Sequence, residues 1–284
     1  MRPSMISAAL VASLVGYGST IALVLAAAQA VGASPAQAAS WVAASCFAKA
    51  IGSMLLSTWT RVPIVLAWST TGAALIAAST GVNMNEAVGA FMLAGGLLAL
   101  TAAVPPINRA VSSIPTGIAS GMLAGVLLPF CLAVASYAIS DWPIVLPLIA
   151  VFLVVRLLSP LYAVLAALAT GLVIAFTYAG VPLPRFDLQP QSLVVMRPDV
   201  NPAVLIGLGL PLYLVTMASQ NLPGFAVLRA HGYTPPVAAS LGVTGIGSMI
   251  ASLFGAHTIN MAAITAAICL GDDVHPDKSR RWQV

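Results

Sequence analysis

Charged residues in this chain stand so far apart that most of its length has to be dissolved in something other than water. After Arg2 the next charged side chain is Lys49, and the stretches 62–85, 87–108, 110–140 and 157–184 carry none. A soluble domain draws about a quarter of its residues from Asp, Glu, Lys and Arg. Here the share is 6%, against 60% hydrophobic residues and a mean hydropathy of +1.01. Such a chain cannot clothe a water-facing surface, so it reads as an all-α polytopic membrane protein. The net charge of +4 rests on too few residues to build a nucleic-acid surface, and no nucleic-acid partner is expected. Cys46, Cys131 and Cys269 lie inside apolar runs without ligand spacing. They read as small buried hydrophobes, and no metal or other cofactor is expected.

A crossing helix needs about 20 apolar residues. Breaks at Pro, Asn, Asp and Arg divide the chain into ten candidate spans, near residues 5–31, 37–59, 62–80, 86–104, 114–138, 142–158, 160–180, 202–224, 235–254 and 256–271. The first mimics a secretory signal, with Arg2 ahead of it and Ala28-Gln29-Ala30 at its end. Its apolar stretch exceeds the ~7–15 residues of a signal core, so it is read as an uncleaved span. With the N-terminus in the cytoplasm, Arg2, Arg61, Arg109, Arg156, Arg229, Lys278, Arg280 and Arg281 fall inside, while Arg185 and Arg197 fall outside. That distribution follows the positive-inside rule. Glu86, Asp141, Asp187 and Asp199 land mainly outside.

The proline-rich segment Val181–Asn201 is the longest break. Asn201-Pro202 after it, and Thr234-Pro235 later, read as helix starts, a cap followed by proline at the first helical position. Gly117, Gly121 and Gly125 share one helix face and read as a close-packing surface.

Two spans break the apolar pattern. The third carries a polar island, Trp68, Ser69, Thr70, Thr71 and Gly72, before an Ala-rich stretch; the tenth carries Gly255, His257, Thr258 and Asn260 before MAAITAAI. Thr71 and Asn260 lie 189 residues apart, and the first and eighth spans, starting at 5 and 202, lie 197 apart. Interrupted helices at matching places in two halves point to a transporter's central site. Seven spans precede the long break, so the second half starts with opposite topology, as an inverted repeat does. A complete second half would make fourteen spans over roughly 380 residues, so about four spans are expected beyond the ten. Half-helix N-termini facing the middle of the membrane suit a carboxylate, and Trp68 suits an aromatic ring. The competing reading is that the Ser and Thr hydroxyls bond neighbouring carbonyls. Gln220 and Asn221, before Pro223 and Gly224 in the eighth span, either line the same cavity or cap and kink their helix.

The segments RVPIVLAWSTTGAALI (Arg61–Ile76), MNEAVGAF (Met84–Phe91), PLYLVTMASQNLPGF (Pro211–Phe225) and AAITAAICLGDDVHPDKSRRW (Ala262–Trp282) closely resemble the BenE family of benzoate:proton symporters. The resemblance covers essentially the whole chain. It implies the architecture of the uracil and xanthine permeases and sulfate-type carriers, a seven-plus-seven inverted repeat with about ten of fourteen spans present and discontinuous third and tenth segments. Residues 1–190 then form the first repeat, with core spans 1–4 and gate spans 5–7. Residues 191–284 begin the second, with core spans 8–10. The implied activity is import of benzoate or a similar aromatic carboxylate with a proton across the bacterial cytoplasmic membrane, by a chain that also contacts the lipid bilayer; a homodimer is left open. The family usually has proline where this chain has Thr71. The alternatives are a carrier of the same architecture for another small anion or a nucleobase, or a non-functional fragment of a carrier. Nucleobase carriers of this kind place acidic residues in segments eight and ten, which are absent here. An intramembrane enzyme would need a nucleophile with its base, paired aspartates or a metal-binding histidine pair, and the spans contain none of these.

Lys49 lies near the centre of the second span, about 16 Å from either end. It is read as an attractor for the substrate anion, as a neutral amine, or as a residue facing a polar cleft and backbone carbonyls. His257 is the proton-coupling candidate by its chemistry, with a hydrogen-bonded structural histidine as the alternative. Asp272, Asp273, His275 and Asp277 match no metal-ligand spacing, and the acidic pair Asp272-Asp273 is expected to begin a turn or cap a helix.

Overall fold

The computed structural model describes residues 2–106, 125, 128, 131–158, 162–178, 180, 192–272 and 274–284. Gly117 and Gly121, Arg109, Arg185, Asp187, Asp273, most of the span expected at 114–138 and the first part of the long break lie outside the described residues. Among the described residues four helices are long and apolar enough to cross a membrane: Pro3–Ala30, Pro35–Thr60, Met84–Ala103 and Pro202–Ala230.

The first of these is bent into α1 (Pro3–Gly18) and α2 (Ile21–Ala30). At the bend the hydroxyls of Ser19 and Thr20 donate back to the carbonyls of Val15 and Gly16, both at 2.6 Å. Such back-bonding bends helices, which is why the uniformly apolar span 5–31 is not straight. Helix α3 (Pro35–Thr60) opens on a reciprocal cap, with the Ser34 side chain bonded to the Gln37 backbone and the Gln37 side chain to the Ser34 backbone. It ends at Arg61, whose φ of 57° puts it in the left-handed region. Helix α5 (Met84–Ala103) opens the same way through Asn83 and Glu86.

The third and tenth segments are each an extended strand followed by a short helix: β1 (Leu66–Trp68) with α4 (Thr70–Ala77), and β2 (Ile259–Met261) with α11 (Ile264–Leu270). The strands pair antiparallel, with Ala67 opposite Asn260. The fold is therefore all-helical apart from this one ribbon among the described residues. Helices α6 (Cys131–Ser140), α7 (Trp142–Leu158) and α8 (Ala163–Thr177) come between. Helix α8 meets α1, where a Cβ on Gly18 would lie 2.9 Å from Leu168.

Helix α9 (Pro202–Ala230) starts as expected, with Asn201 Oδ1 accepting from the Ala203 amide at 3.1 Å. Thr234-Pro235 does not start α10 (Val237–Ser252), which begins two residues later. Pro236 holds the residue before it out of the helical region. Helices α5 and α10 cross through glycines, since a Cβ on Gly95 would lie 2.9 Å from the Gly245 carbonyl oxygen. At one end of the molecule Asn201 donates to Glu86 at 2.6 Å. Elsewhere the tail stacks Trp282 on Arg61, at 4.2 Å. Large apolar side chains stay exposed along α3, among them Phe47, Met54 and Trp59, as a lipid-facing helix requires.

Candidate functional site

A strand cannot stand alone in a membrane, because each unpaired amide costs several kcal/mol there. Here the two interrupted segments satisfy each other. Beyond the three strand pairs, the Ser69 amide donates to the Thr258 carbonyl and the Ala262 amide to the Val65 carbonyl, both at 2.9 Å. The ladder thus runs from Val65–Ala262 to Ser69–Thr258, roughly 13 Å at the usual rise per residue. Helix α4 leaves one end and α11 the other, so their N-termini face the ribbon from opposite sides. A single carboxylate is too small to touch both.

Ser69 caps α4: its hydroxyl accepts from the Gly72 amide at 3.0 Å and its carbonyl from the Ala73 amide at 2.8 Å. Thr71, at the position where the resembling family has proline, lies in the first turn of α4, where proline is well tolerated. The break persists without proline because the Ser69 cap and the strand pairing terminate the helix on their own. Thr71 is buried, and its hydroxyl meets that of Ser219 at 2.9 Å. Gly72 is required by packing, since a Cβ there would lie 2.9 Å from the Cβ of Ser69. Thr70 is half-buried, and its hydroxyl makes no hydrogen bond among the described residues.

The opposing wall is α9, which is widened into π turns at Leu205–Gly209 and Met217–Asn221. Each closes through an i to i−5 bond, Leu210 to Leu205 and Leu222 to Met217, and each is followed by proline, Pro211 or Pro223. The proline ring clashes with the carbonyl four residues earlier, and a widened turn relieves the clash. The second π turn, with Thr216 just before it, aims four polar side chains at the ribbon. Thr216 joins the hydroxyls of Ser69 and Thr258 at 3.1 and 2.9 Å, and Ser219 meets Thr71. The Asn221 side-chain oxygen accepts from the Met261 amide at 2.8 Å. Gln220 accepts from Asn260 at 3.4 Å. Asn260 also donates to the Met261 carbonyl at 2.8 Å, while its own buried Oδ1 has no partner among the described residues.

His257 is fully buried. Its Nδ1 accepts from the Trp41 indole at 2.9 Å and its Nε2 lies 2.9 Å from the Ser69 carbonyl. Indole only donates and carbonyl only accepts, so the partners select the neutral tautomer protonated at Nε2. The ring ties α3 to both interrupted segments. Lys49 projects from α3 onto the face of Trp68, with Nζ 3.9 Å from the ring centroid. The Trp68 indole N–H donates to Thr20 at the α1–α2 bend.

The sequence-selected site residues therefore gather around one ribbon: Trp68, Ser69, Thr258 and Asn260 on it, Thr70, Thr71 and Gly72 in the first turn of α4, Gln220 and Asn221 on α9, and His257 and Lys49 flanking it. Thr216, Ser219 and Trp41 were not singled out by the sequence. The two prolines of α9, each two residues beyond a π turn, are the signal that marks the first two. In the tail, Asp272 lies in a turn, one of the two alternatives expected of it, and does not cap a helix. It pairs with Arg281 at 2.5 Å, and Asp277 takes the capping role, accepting from the Ser279 amide. Arg281 also holds the carbonyl of Leu270, the last residue of α11, at 2.8 Å.

A family model described as "Benzoate membrane transport protein" (BenE) matches residues 1–284. The chain is 37% identical over 281 residues to the "Inner membrane protein YdcO" of Escherichia coli (strain K12), covering 99% of this chain and 72% of that protein. It is 31% identical over 276 residues to a "Benzoate membrane transport protein" of Acinetobacter baylyi (strain ATCC 33305 / BD413 / ADP1), covering 97% of this chain and 70% of that protein. On this evidence the chain belongs to the benzoate membrane transport family, and is a multi-pass inner-membrane transport protein rather than an enzyme.

Proposed function

We propose that the protein is a secondary carrier that imports benzoate or a related aromatic carboxylate together with protons by alternating access, its N-terminus in the cytoplasm. The observation that carries this reading is the ribbon β1–β2 with a half-helix leaving each end. Half-helix N-termini offer amide donors and a positive dipole end inside the membrane. No Asp or Glu is buried among the described residues, so nothing in the core repels an anion. That favours a carboxylate over a nucleobase, whose ring N–H groups call for acidic partners.

The division into a first repeat over 1–190 and a second beginning at 191 belongs to the same proposal. Its support is the matching order of elements: strand β1 at 66 and helix α4 at 70 recur as β2 at 259 and α11 at 264. Within this scheme Thr70 and Gln220 present polar groups to the path the substrate takes past the ribbon. Ser69, Thr71, Thr258, Asn221 and Asn260 hold the ribbon's shape through their mutual bonds. His257 is the coupling candidate inside the core. A proton at its Nδ1 would remove the acceptor of the Trp41 indole and so loosen α3 from the ribbon. Proteoliposomes containing the chain test the proposal: uptake of labelled benzoate should rise when the lumen is made alkaline relative to the medium. Uptake no faster than in empty vesicles, with no benzoate binding to the purified protein, refutes it.

A further inference from the structure

The core holds a lysine without a carboxylate. Lys49 is half-buried in α3 and makes no ion pair among the described residues; the ion pairs there involve Arg280 and Arg281. What faces its ammonium is the indole of Trp68. The indole ring is fixed from behind, by its N–H bond to Thr20, and at its edge by Tyr17, whose ring centroid lies 5.7 Å away at a 40° tilt. All three side chains line a cavity of about 590 Å³, together with Cys46, Ser53 and Thr265. The Ser53 hydroxyl is already spent, donating to the Lys49 carbonyl and accepting from the Leu66 amide. Most of the remaining wall is aliphatic, from α1, α3 and the approach to β1. An apolar cavity with two aromatic rings and one cation is chemically specific. A cation–π contact offsets only part of what a lysine loses on leaving water, and an anion offsets more.

We propose that this cavity seats the aromatic carboxylate, with the carboxylate on the Lys49 ammonium and the ring on the indole face of Trp68 beside Tyr17. The assignment rests on the carrier reading above and deepens it by placing the substrate on the Lys49 side of the ribbon. In the structure the ammonium occupies the indole face. The incoming anion draws it off, and the substrate ring takes its place. The cavity then selects on two counts at once: charge, through Lys49, and aromaticity, through Trp68 and Tyr17. Neutral benzamide keeps the ring contact and loses the charge contact.

The test is binding of labelled benzoate to the purified chain in detergent, with benzamide as competitor. Lys49→Met should weaken benzoate at least tenfold while leaving benzamide competition unchanged, and Lys49→Arg should restore benzoate to within threefold. Tyr17→Leu should weaken both ligands alike. A measurement needing no variant accompanies these: benzoate should slow modification of Lys49 by an amine-specific reagent at least fivefold, read by mass spectrometry, and leave Lys278 unaffected. Wild-type binding with an unchanged affinity in Lys49→Met, or equal modification rates with and without benzoate, overturns this assignment alone. A wild-type chain that binds no benzoate overturns the carrier reading and this assignment with it.

Discussion

Replacing His257 separates a clamp from a proton site. The ring is fully buried, accepts from Trp41 and donates to Ser69, each at 2.9 Å. His257→Leu removes both ring nitrogens at once and leaves the buried Trp41 indole N–H unpaired, while the Ser69 carbonyl keeps the Ala73 amide. A buried orphan costs about 1–3 kcal/mol, so the variant should lose roughly that much. His257→Gln offers a carbonyl oxygen and an amide N–H on one side chain and should keep most of that stability. The assay is the apparent Tm in detergent, followed by benzoate uptake with and without a pH gradient for whichever variant folds. A His257→Leu protein as stable as wild type refutes the clamp. A stable His257→Gln protein whose uptake no longer responds to the gradient makes His257 the coupling site; one that still responds shows that the proton travels elsewhere.

Other perturbations probe the surroundings. Thr70→Val should slow benzoate uptake without lowering the apparent Tm, because the Thr70 hydroxyl has no structural bond to lose; unchanged uptake removes it from the transport path. Gly224→Val should destabilise the ribbon by about 1–3 kcal/mol or more, since a Cβ there would meet Met261 at 2.5 Å; an unchanged apparent Tm would show that α9 can shift to make room. In the tail, the Ser279 hydroxyl and amide hold the Asp277 carboxyl below the usual carboxylate range. The depressed value means that its contribution is present above the unfolded pKa and is lost as pH falls through the folded one. Hydrogen exchange of residues 278–283 should therefore accelerate below about pH 4 and be insensitive to pH in Asp277→Asn, once intrinsic exchange rates are normalised. Equal acceleration in both proteins refutes the cap.

Much of this site is legible in the sequence because polar residues inside apolar spans are rare, and the exceptions point inward. Ser69-Thr70-Thr71 and His257-Thr258 stand out for that reason, and they do meet. What the sequence does not carry is the pairing itself. Ladder bonds are made by backbone, so Ala67 opposite Asn260 leaves no compositional trace. The resemblance emphasises the proline missing at Thr71, yet the helix breaks there anyway, because the Thr258 carbonyl and the Ser69 hydroxyl supply what proline would have enforced. Thr216 and Ser219 look like ordinary span residues until the structure shows them bonded to the ribbon at and just before the π turn. The bend at Ser19-Thr20 was likewise hidden, since two hydroxyls in a long apolar run look unremarkable by hydropathy.

The strand pair also limits how this molecule can move. Pulling β1 away from β2 would strip three residue pairs of their bonds where no water waits to replace them, and the loss would be on the order of ten kcal/mol or more at several kcal/mol per group. Thermal agitation does not reach that far, so the ribbon behaves as a stiff strut. Whatever cargo rests against it must travel by displacement of the whole strut relative to its surroundings, with the sliding surfaces lying outside it.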